Sequence, residues 1–237
     1  MFLGVYPMSR NSGIFSAETF RFFRELGRNN HKPWMDANRE RYRAHVVAPF
    51  RALLDRLTPA ARKLNPGFDV SGRTGQNFSR INRDIRFAAD KSPYRAQMYL
   101  KFSQQGSEDG GDGQLYVGVA ADAVTVGFRT YYESRESSLA RLGVPRAREN
   151  GTWIARQQRR LGKKYESYWY SSEKGEWAKH KGWPTKPEEW KRIKGWIVRK
   201  KFKPTAATRA DFPREVSRIF SEVFPLYRFT SSSNWKP

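Results

Sequence analysis

The sequence predicts an α+β fold: a mostly antiparallel sheet packed by N-terminal helices and a C-terminal helix. Three observations carry this. Residues 114–132, QLYVGVAADAVTVGFRTYY, alternate in two runs around Ala121-Asp122, the pattern of a β-hairpin. Near both ends, apolar residues recur at helical spacing instead, as Phe20, Phe23 and Leu26 and as Val216, Ile219, Phe220 and Val223. Strands and helices are mixed, with no repeated βαβ unit.

The first helix is expected over 16–27, with Ser16 as cap, Glu18 in the first turn and Gly27 at the end. A second follows Pro33 to about Val46 and places Trp34, Asn38 and Tyr42 on one face. Pro49 is expected to interrupt it and open a third helix, which carries Leu53, Leu54, Leu57 and Leu64 up to Asn65-Pro66-Gly67. GRTGQNFSR (72–80) reads as a glycine-rich turn, or as a loop wrapping a phosphate with backbone N–H groups. The stretch 80–94, RINRDIRFAADKSPY, fits a strand better than a helix. Ile81, Ile85 and Phe87 then share one face with Arg83, while Arg80, Asn82, Asp84 and Arg86 share the other. QMYLKF (97–102) reads as a strand and 104–113 as a polar loop with four glycines. Two short helices are expected over 137–149 and 152–161, a strand over 194–202 and a last helix over 212–224 with Pro213 near its start. No linker or internal repeat divides the chain, so a single domain over 1–237 is expected.

Composition points to an acidic partner. The 237 residues include 45 Lys and Arg against 23 Asp and Glu, a net charge of +22. Such an excess suits nucleic acid, an anionic surface or a phosphorylated ligand. The segment 153–203 is richest: six of the eight tryptophans lie in it, and between 156 and 203 sixteen Lys and Arg face five Asp and Glu. Aromatic residues among cations suit single-stranded nucleic acid, although tryptophans also build cores. There is no cysteine, so disulfides, thiolate chemistry and Cys-based zinc sites are excluded. His31, His45 and His180 have no partner at metal-ligand spacing, and no P-loop, dinucleotide fingerprint or nucleophile elbow is present; no metal and no cofactor is predicted. The short apolar run in MFLGVYPMSR does not make a signal peptide and no window suits a membrane span, so a cytoplasmic protein is expected.

The residues FSAETFRFFRELGRNNHKPWMDANRERYR and RINRDIRFAADKSPYRA resemble the family catalogued as domain of unknown function 2461. The resemblance rests on Asn29, Asn30, Trp34, Asn38 and Tyr42, then on Arg80, Ile81, Arg83, Asp84, Arg86, Phe87, Asp90, Lys91, Pro93 and Tyr94. Met35 stands where the family usually has Phe. The match is close over 15–105 and looser beyond 135. It implies a fold and a focus on the 80–94 run, and no particular activity.

Arg80, Arg83 and Arg86, with Lys91, are candidate anion ligands, because an arginine fork gives two parallel charge-assisted hydrogen bonds to phosphate or carboxylate. Asp84 and Asp90 would orient those forks or act as an acid/base pair, and Tyr94 would donate to the ligand. Alternatively, the same residues form an ion-pair network that fixes a loop. Asn29, Asn30, Trp34 and Asn38 make a second polar cluster, lining a pocket or tying two helices together. Three readings of function follow: recognition of an anionic ligand at 80–94, nucleic-acid binding through 153–203, or an enzyme acting on a phosphorylated or carboxylated metabolite.

Overall fold

The structure is a computed structural model and describes residues 13–104, 113–131 and 138–237. Most of the polar loop expected at 104–113, and the residues between the hairpin and the helix expected from 137, lie outside the described residues. The first helix, α1 (Ala17–Arg28), buries Phe20, Phe22, Phe23 and Leu26. Two short helices follow, α2 (Lys32–Ala37) and α3 (Arg39–Tyr42), meeting at Asn38. Pro49 does not break the chain's course there. A wide π turn over Arg43–Val47 leads directly into α4 (Ala48–Leu64). Proline lacks an N–H and crowds the carbonyl four residues back, and widening the turn at that carbonyl, on His45, relieves both.

Among the described residues the strands form one six-stranded antiparallel sheet: β1 (Gln97–Phe102), β2 (Gln114–Ala120), β3 (Val124–Tyr131), β4 (Glu166–Glu173), β5 (Glu176–Lys181) and β6 (Ile193–Phe202), in the order β1-β2-β3-β6-β4-β5. The chain is thus α+β, as its sequence predicts. Between β3 and β4 lie a π turn (Leu139–Gly143), α5 (Val144–Glu149) and α6 (Gly151–Leu161); α7 (Pro187–Arg192), α8 (Pro204–Ala207) and α9 (Phe212–Ser231) complete the described elements. The α9 helix runs past the expected end at 224 and through Pro225. The Ser221 carbonyl freed by that proline belongs to an exposed residue, and burial of Leu226, Tyr227 and Phe229 holds the final turns. The β4–β5 hairpin was not expected. Its turn is Lys174-Gly175, with φ of 48° and 81°, the paired left-handed geometry of a two-residue hairpin.

Strand alternation gives the sheet two unlike faces. The inner face sets Leu100, Val117, Val126, Phe128 and Val198 against α1, α4 and α9. The tryptophans extend this core. Trp183 and Trp190 meet Trp196 edge-on at 4.9 and 5.3 Å, and Trp153 stacks on Phe229 at 4.6 Å. Trp177 alone in the 153–203 segment is exposed, at 58%. The outer face runs in cross-strand rows. One row reads Tyr99–Gly118–Thr125–Lys201, the next Lys101–Tyr116–Gly127–Arg199–Glu166, then Gln114–Arg129–Ile197–Tyr168–Lys181, and last Tyr131–Gly195–Tyr170–Lys179. No helix among the described residues is long and apolar enough to cross a membrane.

Candidate functional site: an arginine groove beside the sheet

The segment leading to the site is anchored by Asn77, which is fully buried. Its amide donates to the Asp69 and Lys101 carbonyls at 2.7 and 3.1 Å and accepts from Gly72 N–H at 2.8 Å. Gly72 and Gly75 take φ of +70° and +90°. Their N–H groups are used inside the turn, Gly75 donating to the Phe78 carbonyl at 2.6 Å, so GRTGQNFSR is a turn and does not present these amides to a phosphate. Ser79 then pairs with Tyr99 of β1, donating from its N–H to the Tyr99 carbonyl and accepting at Oγ from the Tyr99 N–H, both at 3.0 Å.

Residues 80–94 form a loop, which corrects the expected strand. Only an isolated bridge joins Asn82 to Tyr94, flanked by Arg83 N–H to the Pro93 carbonyl (2.9 Å) and Arg95 N–H to the Ile81 carbonyl (2.8 Å). Short carboxylates capture the backbone in place of a ladder. Asp84 Oδ1 accepts from Arg86 N–H at 3.2 Å and Asp90 Oδ1 from Ser92 N–H at 2.9 Å, bending the chain at both points. Strand parity is lost: Ile81 and Ile85 stay half-buried, while Phe87 is 95% exposed.

The two aspartates are engaged with arginines. Arg86 grips Asp84 with Nε and Nη2 at 3.0 and 2.7 Å, and Arg83 pairs with Asp90. The Arg86 fork holds the Asp84 carboxyl below its usual range; bonds from Ser92, then from Arg83, hold Asp90 far below it. Both are therefore ionised acceptors near neutrality and poor proton donors. Lys91 Nζ donates to the Ile85 carbonyl at 3.0 Å and braces the loop. Tyr94 is buried, and the Asn30 side chain clasps its backbone at both ends, with bonds of 2.9 and 3.0 Å. The rest of the second cluster is likewise engaged within the fold. Asn29 caps α1 at the Glu25 carbonyl, Asn38 bonds the Trp34 carbonyl, and Trp34 packs on Phe22 at 5.5 Å.

Where the loop meets the outer face of the sheet, a groove of about 900 Å³ opens. Arg80, Arg83, Arg86, Arg95 and Arg129 line it, and Asp84 is the one carboxylate among its lining residues; Tyr99 and Gly75 also contribute. Arg83 and Arg95 also line an adjoining groove of about 500 Å³, with Asn30, Asp90 and Tyr94. Among the described residues, Arg80 and Arg95 make no side-chain hydrogen bond or ion pair. Arg129 rests over the Tyr99 and Tyr116 rings at 4.8 and 5.0 Å and donates to Gln114 at 2.8 Å. Arg95, Tyr99 and Arg129 were not singled out from the sequence. Arg129 sits in an ordinary hairpin, and only sheet pairing brings it to the loop. The described residues hold no group of three or more His, Asp or Glu able to grip a metal.

The chain belongs to the DUF2461 family. The family's sequence model, described as a conserved hypothetical protein, matches residues 18–229. The match therefore reaches through β6 and into the last turns of α9, further than the close resemblance over 15–105. No curated protein matches the chain. The DUF2461 run at 80–94 thus does two things in this chain: Asp84, Asp90 and Lys91 shape the loop, and its arginines turn toward a groove shared with the sheet.

Proposed function

We propose that the protein recognises an anionic ligand, bearing phosphate or carboxylate, in the groove between the 80–86 loop and the sheet. One observation carries this: among the described residues five arginines and a single carboxylate surround one open groove, and three of those arginines, Arg80, Arg95 and Arg129, have no ion-pair partner. Guanidinium groups keep their charge at every physiological pH and meet phosphate or carboxylate oxygens two at a time. Asp84 orients Arg86 from behind. The depressed pKa values of Asp84 and Asp90 favour binding over acid–base chemistry at these residues. A cytoplasmic setting suits a chain without cysteine.

Calorimetric titration with inorganic phosphate, citrate and a nucleoside monophosphate tests the reading. At least one should bind saturably, more weakly as salt rises. The double variant Arg80→Ser, Arg95→Ser should lose roughly tenfold or more, since hydrogen bonds to charged groups contribute about 1.5–3 kcal/mol each. No binding of any of the three, or equal binding by the double variant, refutes it.

A further inference from the structure

The outer sheet face is uncovered by any described helix, and its chemistry is uneven. Every row carries a tyrosine and at least one cation, and two of its glycines lie against a tyrosine ring. A Cβ on Gly118 would fall 2.5 Å from Tyr99 Cε1, and one on Gly195 would fall 2.9 Å from Tyr131 Cδ1. Both rings therefore reach over the neighbouring strand, into space that a side chain at the glycine would occupy. Farther along, Tyr168 carries Lys179 at 4.3 Å and Arg199 at 5.1 Å over its ring. The two large apolar side chains that are exposed among the described residues stand at opposite ends of this surface: Phe87 on the loop that rims the groove, and Trp177 on the β5 edge.

We propose that this face is a track for single-stranded nucleic acid, bases stacking on the partly exposed Tyr99, Tyr131, Tyr168 and Tyr170 and phosphates pairing with the cations between them, while Tyr116 stays buried beneath. The proposal rests on the groove reading in one respect, since the groove arginines would take phosphates at the β1 end. Charge selects a polyanion: the chain carries +22, and Glu166 is the one carboxylate in the four rows described. Partly exposed tyrosine rings select single strands, because a duplex hides its base faces while an unpaired strand offers them. An acidic peptide would satisfy the cations and leave the rings unused. Six strands span about 24 Å, room for several nucleotides. The aromatic signal that composition placed on tryptophans thus passes to tyrosines, because the tryptophans build the core.

Fluorescence anisotropy with labelled fifteen-nucleotide oligo(U) and oligo(dT), beside a fifteen-base-pair duplex and polyglutamate, tests it. A single strand should bind tightest, with log K falling by about 0.7 per phosphate contact per decade of salt, and should quench Trp177. Tyr168→Leu, outside the groove, should weaken it about fivefold or more, whereas Tyr168→Phe should not. Circular dichroism confirms that each variant folds, and the double variant Lys179→Glu, Lys181→Glu supplies an independent loss. Duplex or polyglutamate binding as tight as the single strand overturns the proposal, as does a folded Tyr168→Leu that binds like the parent. If inorganic phosphate still binds the groove while neither oligonucleotide binds, the track falls and the groove stands; if no anion binds, both fall.

Discussion

Asn77 is where the loop's geometry is decided, and its removal should be felt in both stability and binding. Its side chain makes three hydrogen bonds from a fully buried position. At about 1 kcal/mol net for each, Asn77→Ala should lose roughly 3 kcal/mol. With a urea slope of about 3 kcal/mol/M, the unfolding midpoint should drop by about 1 M. Asn77→Asp is the sharper perturbation. It keeps the shape but turns the amide nitrogen, which donates to the Asp69 and Lys101 carbonyls, into an oxygen facing both. At neutral pH it should be worse than alanine. Burial against carbonyls raises the new carboxyl's folded pKa, so the penalty exists above that pKa and fades as pH falls through it. Relative to the parent, Asn77→Asp should therefore recover on acidification, whereas Asn77→Ala should not. Because Asn77 leads into Ser79 and Arg80, both variants should also weaken anion binding. A midpoint within about 0.2 M of the parent for both variants would refute the reasoning.

Asn30→Ala removes the clasp on Tyr94 and should lose about 1–3 kcal/mol, with faster amide exchange at Arg83 and Arg95. Gly118→Val drives a side chain into Tyr99 and Thr125 Oγ1; it should lift the ring off the sheet, cost roughly 1–3 kcal/mol and shift the Tyr99 ring resonances in NMR spectra. Burial pushes the Glu18 carboxyl up, but hydrogen bonds from Arg41 and Arg21 more than offset this and leave it below its usual range. Its stabilisation is present above the unfolded pKa of about 4.3 and is lost as pH falls toward the lower folded value, so Glu18→Gln should flatten the acid limb of a stability–pH profile below about pH 4.

What could be read in the sequence follows from where a single periodicity governs. Phe20, Phe23 and Leu26, or Leu115, Val117 and Val119, each place apolar groups on one buried face, so helix and hairpin are visible. The β4 strand hides because its alternation is aromatic on both sides: Tyr168 and Tyr170 face out, Trp169 faces in, and a simple polar–apolar pattern is missing. Lys174-Gly175 was the usable signal. The 80–94 run misled for a different reason. Its residues alternate as a strand would, yet Asp84 and Asp90 bond the backbone two residues on, a local competition that spacing cannot register. The groove was half legible. Arg80, Arg83 and Arg86 lie in one charged run, but Arg95 and Arg129 join them only through the Ile81–Arg95 bond and the β1-β2-β3 pairing.

The outer face poses an energetic question of its own. Like charges on neighbouring strands repel, and Arg129, Arg199, Lys179 and Lys201 crowd one surface. The tyrosines offset part of this. Arg129 lies over two rings, and Tyr168 serves both Lys179 and Arg199, at about 0.5–1 kcal/mol per exposed contact. Tyr99 and Tyr168, partly exposed rings that would stack bases, thus also hold cations when no ligand is present, and a bound strand would move those cations from ring to phosphate. Tyr168→Leu should therefore lower the stability of the free protein by about 1–2 kcal/mol in urea unfolding as well as weakening the single strand, while Tyr168→Phe should preserve both. A variant at Tyr168 that lost strand binding with no change in stability would separate the two roles and show that the cations are not held by the ring.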